Sequence, residues 1–195
     1  MEVRSKPMPL TFESVVAVAA NMHWRRELII EEIPAPSKLA PFSFALNADL
    51  VVHGENLGNS RLVLLHDPSG NDAWEGCFRC VCYVRANVDP EMVTDPLLVD
   101  VGWSWLIESL EHNNAAYAAP SGTITAFSSK SYGAIENQQL HCEIEMRASW
   151  TPIIDHHDEL TNQLHAWSAL LCACGGLPAL PQGVVPITRR STWNR

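Results

Sequence analysis

Residues 74–83 read WEGCFRCVCY, and the reading of this stretch decides the fold. Three cysteines, Cys77, Cys80 and Cys82, follow the spacing C-x2-C-x-C. A zinc knuckle holds such a pair on a turn and needs a second pair of ligands. Here the thiols sit in an aromatic and β-branched run, which favours a strand. Side chains alternate faces along a strand. Phe78, Cys80, Cys82 and Val84 then share one face, while Cys77, Arg79, Val81, Tyr83 and Arg85 share the other. Cys77 points away from its neighbours, so the three thiols cannot surround one ion. Cys172 and Cys174 lie two apart on a predicted helix and diverge as well. The cysteines read as small buried hydrophobes.

The same period of two extends outward from this strand. Phe44, Leu46, Ala48, Leu50 and Val52 alternate with polar residues, and RLVLLH (61–66) follows between the turns HGENLGNS and DPSGND. Residues 122–132 and 138–150 read as a hairpin. Its second strand sets Cys142, Ile144, Met146, Ala148 and Trp150 against Glu143, Glu145, Arg147 and Ser149. Residues 27–33 are extended, and IPAPSKLAP (33–41), with its three prolines, is a stiff connector.

Helices flank these strands. Thr11 caps a stripe of Phe12, Val15, Val16, Ala19 and Ala20. Asp89-Pro90-Glu91 starts a second helix, which Asp95-Pro96 interrupts. A new start at Asp100 places Trp103, Leu106, Ile107 and Leu110 on one face. The last helix begins near Asp155, carries Leu160, Leu164, Trp167 and Leu171, and stops at Gly175-Gly176. LPALPQGVVPI (177–187) reads as an extended surface tail. The order is α-β-β-β-β-α-β-β-α. It implies an α+β fold: an antiparallel sheet of about six strands with helices packed mainly on one face. Residues 10–187 form the expected single domain, with 1–9 and 188–195 as disordered ends.

Composition narrows the function. The chain has 195 residues, 47% of them hydrophobic, and a net charge of −9, which suits a globular protein with a real core. Residues 41–188 hold five lysines and arginines against seventeen acids. That body excludes direct nucleic-acid contact, which needs clustered cations. No run reaches the roughly 18 apolar residues of a membrane helix, and no signal peptide is visible. Six cysteines without such a leader imply free thiols in the cytoplasm.

No residue pattern points to catalysis, a metal or a cofactor. His156-His157-Asp158-Glu159, with His165 beyond, reads as an acid-rich helix start rather than a metal set. Ser121-Gly122 lacks the hydrolase elbow. Binding candidates remain. Arg79, Arg85 and Arg147 share the non-core strand face with Tyr83, and Arg79 and Arg85 are expected opposite Glu143 and Glu145. His66 and Asp67 end a strand at a turn, where loops often carry function. Trp105 flanks the core stripe of its helix and can line a pocket.

Six segments carry a likeness to a known family: EEIPAPSKLAP (31–41), LVLLHDPSG (62–70), AWEGCFRCVCYVRA (73–86), DPLLVDVGWSWL (95–106), ASWTP (148–152) and GLPALPQGVVP (176–186). In this order they resemble an actinobacterial family designated domain of unknown function number three thousand. The likeness spans roughly residues 10–190 and implies a cytoplasmic actinobacterial protein; it carries no activity over. The element order also resembles that of small bacterial secretion chaperones, which are dimeric, so a homodimer is a further expectation by fold analogy. The expected function is a non-catalytic binding or adaptor protein with a protein or small-molecule partner. The alternative is a small-molecule-binding protein or an enzyme whose site is dispersed over strand ends and loops.

Overall fold

A computed structural model describes residues 11–138, 140–156, 159–179 and 189–190. Along the chain come α1 (Phe12–Ala20), β1 (His23–Trp24), β2 (Leu28–Glu32), β3 (Phe42–Val52), β4 (Glu55–Asn71) and β5 (Gly76–Asn87). Then follow α2 (Pro90–Val93), α3 (Leu98–His112), β6 (Tyr117–Ser129), β7 (His141–Pro152), α4 (Glu159–Cys174) and β8 (Arg189–Arg190). Six strands form one antiparallel sheet in the order β2-β3-β4-β5-β7-β6. The fold is α+β, as the alternation predicts. The α2–α3 excursion carries the chain past one strand position to the far edge. The β6–β7 hairpin then folds back, so β7 fills the place beside β5.

The apolar face of each strand turns toward the helices. Phe78, Cys80, Cys82 and Val84 of β5 and Ile144 and Met146 of β7 are buried. Over them lie Leu106 and Leu110 of α3 and Leu160, Leu164, Trp167 and Leu171 of α4, also buried. Burying each large side chain contributes about 1.5–3 kcal/mol relative to exposure. Two of the three buried indoles are satisfied, while Trp24 Nε1 is buried without a hydrogen-bond partner among the described residues. Trp167 Nε1 donates to Ser60 Oγ at 2.7 Å, and Trp150 Nε1 donates to Gln163 Oε1 at 2.9 Å.

Local signals explain the helix ends. Thr11 and Ser14 form a reciprocal capping box on α1, and Phe12, Val16 and Ala19 turn toward the core. The side chain of Val15, the tail 180–187 and residues 1–10, 188 and 191–195 lie outside the described residues. Within the expected end, Arg189–Arg190 pair with His23–Trp24. Gly176 adopts φ 75° just past α4, the left-handed conformation that glycine takes without a Cβ penalty. Among the described residues no helix is long and apolar enough to cross a membrane.

Two expectations about elements need correction. Helix α3 starts at Leu98, not Asp100, because the Asp95 carboxylate accepts the Leu97 N–H at 2.9 Å and turns the chain earlier. Its buried stripe runs Leu98, Gly102, Leu106, Ser109 and Leu110. The helix approaches the sheet at Gly102, where a Cβ would come within 3.0 Å of Ile144. That contact rotates Trp103 and Ile107 to the flank, where both are half-buried. Strand β4 also continues beyond the expected turn at Asp67, as far as Asn71.

Candidate functional site

Among the described residues the opposite side of the sheet carries no helix. One corner is covered by the proline connector: Ser43 Oγ donates to the Pro36 carbonyl at 2.9 Å, and Ala45 and Leu65 are buried. Among the described residues most of the remainder is exposed or half-buried. Strand register arranges it in rows. One row runs Arg61, Tyr83, Arg147, Thr123; the next runs Val63, Val81, Ser149, Ser121. A groove of about 370 Å³ lies over both rows. Its floor is apolar at Val63 and Val81, and its rim carries Arg61 and Arg147.

Arg79 and Arg85 part company here. Arg85 is half-exposed and reaches diagonally to Glu143, with Nε at 2.6 Å and Nη2 at 2.5 Å from Oε2. His141 Nε2 meets the other oxygen, Oε1, at 2.8 Å. Glu143 is itself buried, 4% exposed, so a sealed carboxylate orients both the Arg85 guanidinium and the His141 imidazole. Its hydrogen bond to Arg85 raises the guanidinium's affinity for its proton. A polar pocket of about 250 Å³ opens beside them, with Asn56, Asn59 and Asn87 in its wall.

Arg79 does not pair with Glu143 or Glu145, contrary to expectation. It is only 9% exposed, and among the described residues no carboxylate lies within 4.0 Å of it. Its Nη1 donates to the Ala119 carbonyl and to Thr151 Oγ1, both at 3.0 Å. Its Nη2 donates to Ser149 Oγ at 2.7 Å and to Ser121 Oγ at 3.1 Å. The reason is register. Arg79 lies two positions beyond Val81, beside the irregularity at Ala118/Ser121 that turns a carbonyl and hydroxyls toward it. Ala119 has φ 46° there. Desolvation lowers the pKa of Arg79, with Glu75 opposing only from beyond ion-pair range.

The other candidates fall into place individually. Tyr83 donates its hydroxyl to Glu145 at 2.9 Å, and burial followed by this bond raises the phenol's pKa. Arg147 pairs with Glu145 at 2.9 Å and lies 5.9 Å from the Tyr83 ring centre. His66 is not at a strand end. It lies within β4 and stacks on Phe78, ring centres 4.2 Å apart, under α1. Its Nδ1 is buried without a hydrogen-bond partner among the described residues, and desolvation lowers its pKa. Asp67 accepts the N–H and hydroxyl of Ser69, which lower its pKa, so it is a local turn former. His66, Asp67 and Arg85 therefore do not converge. Trp105 is half-buried against the core, on the helix side and away from the groove.

The thiols follow the strand reading. Cys77 is exposed on the open side, whereas Cys80 and Cys82 are buried under the helices. Burial pushes Cys82 up to about 12 and Cys172 to about 11, and raises Cys80 and Cys174 further. At the start of α4, Glu159 accepts the N–H groups of Asp155 and His156, which lower its pKa. His157 and Asp158 lie outside the described residues. Among the described residues no group of three His, Cys, Asp or Glu could hold a metal ion.

Four site residues escape the sequence reading: Arg61, Ser121, Ser149 and His141. Alternation in RLVLLH puts Arg61 and Val63 on one face, and His141 is two before Glu143. Those parities were legible. The row joining β4 to β5, β7 and β6 was not, because it depends on strand order.

The fold and face define a class: an α+β sandwich whose sheet is sealed by helices on one side and presents an arginine-rimmed groove on the other. Within that class, the chain belongs to the family described as protein of unknown function (DUF3000), whose model matches residues 8–185. No curated protein matches the chain, and neither does any solved structure.

Proposed function

We propose that this chain is a non-catalytic binding or adaptor protein that receives an acidic or carboxylate-bearing partner on the open face of its sheet. One observation carries the reading. All four arginines of residues 41–188, Arg61, Arg79, Arg85 and Arg147, stand on that face of an otherwise acidic body. Among the described residues Arg61 has no carboxylate within 4.0 Å. An exposed arginine beside a tyrosine over an apolar floor is a common interface anchor. The cytoplasm suits six unbridged thiols; the actinobacterial setting rests on the resemblance of the six segments.

A second reading attaches to the Arg85–Glu143–His141 pocket. A buried carboxylate that holds a histidine by one nitrogen leaves the other nitrogen to a small polar ligand. The two sites are separated by one experiment. Partners are captured from native lysate and identified by mass spectrometry, for both proteins and small molecules. Arg61→Ala/Arg147→Ala removes a protein partner if the groove works. His141→Ala removes a small molecule if the pocket does. Unchanged capture by the first variant, with an unchanged melt, overturns the groove reading.

A further inference from the structure

The groove holds a feature that specifies the bound group. Arg79 is a buried cation, and buried charges are normally paired, because an unpaired one costs much desolvation energy. Here its partners are a carbonyl and three neutral hydroxyls. Two of those hydroxyls, Ser121 and Ser149, line the groove and lie 3.1 Å from each other. Each serine has one proton and two lone pairs. Arg79 occupies a lone pair on each. One serine proton is used in their mutual bond. The other proton remains for a ligand, and Arg79 behind it polarises the hydroxyl. Arg147 stands one row away on the other side of Ser149, about 7 Å along the strand, and its exposed pair with Glu145 is easily exchanged.

The surroundings say what accompanies the anion. Val81 is the direct neighbour of Ser149 across the sheet, and Val63 is the next. Strand spacing puts the valines about 5 and 10 Å from the hydroxyl pair. A carboxylate seated on the serines therefore has an apolar side chain's reach of apolar floor beside it. An internal Asp or Glu carries its carboxylate on the side chain itself. A chain terminus with an apolar last residue offers both groups from one residue. The groove volume of about 370 Å³ suits one or two residues.

We infer that Ser121 and Ser149, backed by Arg79 and flanked by Arg147, form a seat for the free C-terminal carboxylate of a partner polypeptide whose last residue is apolar and packs on Val63 and Val81. This rests on the acidic-partner reading of the same groove and narrows it to one chemical group.

Fluorescence anisotropy with short labelled peptides tests it. Three probes are used: one ending in valine as the free acid, the same peptide amidated, and an amidated peptide with internal glutamates. The free acid is expected to bind, and amidation to weaken it about tenfold or more, as loss of a charge-assisted hydrogen bond does. Ser121→Ala/Ser149→Ala should weaken the free acid by a similar factor. Amidation alters the probe alone, so that comparison stands even if a variant folds poorly. Equal binding of acid and amide, or no binding of either, overturns the inference. Binding of the internal-glutamate probe, lost in Arg61→Ala/Arg147→Ala, keeps the acidic-partner reading while removing the C-terminal seat. Failure of all three probes, together with unchanged capture from lysate, removes both.

Discussion

One face of the sheet is sealed by helices, and the other carries every arginine of residues 41–188. The sealed face is held by area. Leu46, Leu50, Trp150, Leu164, Trp167 and Leu171 are essentially inaccessible. Their stabilisation scales with apolar surface and has little directionality. The open face is held by geometry. Arg79 makes four hydrogen bonds to groups from β6 and β7, and Arg85 holds one carboxylate with two nitrogens. The sealed side therefore fixes the fold, while the open side has charge and hydroxyls to spare for a ligand.

Leu164→Ala should show the largest effect. The residue is 1% exposed and sits between α4 and the sheet. Truncation should cost about 2–5 kcal/mol, the range for a buried leucine. A urea midpoint that does not move would mean that α4 is not docked on the core.

Arg79→Ala should be smaller but still clear, about 1–3 kcal/mol, because it strands buried polar partners. Thr151 would keep its bond to the Trp74 carbonyl, whereas the Ala119 carbonyl would lose its side-chain donor. Urea melts of Arg79→Ala and Arg85→Ala, side by side, sharpen the contrast. Equal small shifts would show that Arg79 is as weakly held as a surface cation.

The third effect links the sealed face to pH. Burial lowers the pKa of both His66 and His165 below the ordinary imidazole value of about 6.5. The unfolded chain then binds protons more readily than the folded one. Stability is full above about pH 6.5 and falls as pH drops through and below that value toward the folded pKa values. His66→Phe keeps the stack with Phe78 and removes one titrating ring. It should reduce the loss of stability between about pH 7 and pH 5. An unchanged loss in thermal melts would assign the acid sensitivity elsewhere.

These contrasts also explain what the sequence makes legible. The core face is readable because burial enforces the period of two, from Phe78 to Val84 and from Cys142 to Trp150. Thr11 and Gly176 mark helix ends through local chemistry alone. Strand order is not local: β7 reaches its place only because α2 and α3 carry the chain past it. The parity of Arg79 was readable, but its partners were not, since the irregularity at Ala118/Ser121 sets which groups meet it. Asp67-Pro68 keeps its turn chemistry inside β4, because it falls at the irregularity between His66 and Asn71 where the pairing with β5 shifts register.

The smallest effect should come from Arg147, and it separates stability from binding. Its side chain is 70% exposed, its partner Glu145 is 22% exposed, and the pair is 2.9 Å apart. Water screens such a pair, and holding two long side chains together costs entropy. Arg147→Ala should therefore shift stability by at most about 1 kcal/mol, and less in high salt. The same position flanks the serine pair in the groove, where an incoming carboxylate would meet a cation released from a weak bond. Little loss of stability with clear loss of partner capture is the expected signature of a working surface. The two readouts come from one preparation, a urea melt and the lysate capture. A variant that melts as the parent does and retains every partner would return Arg147 to the solvated surface.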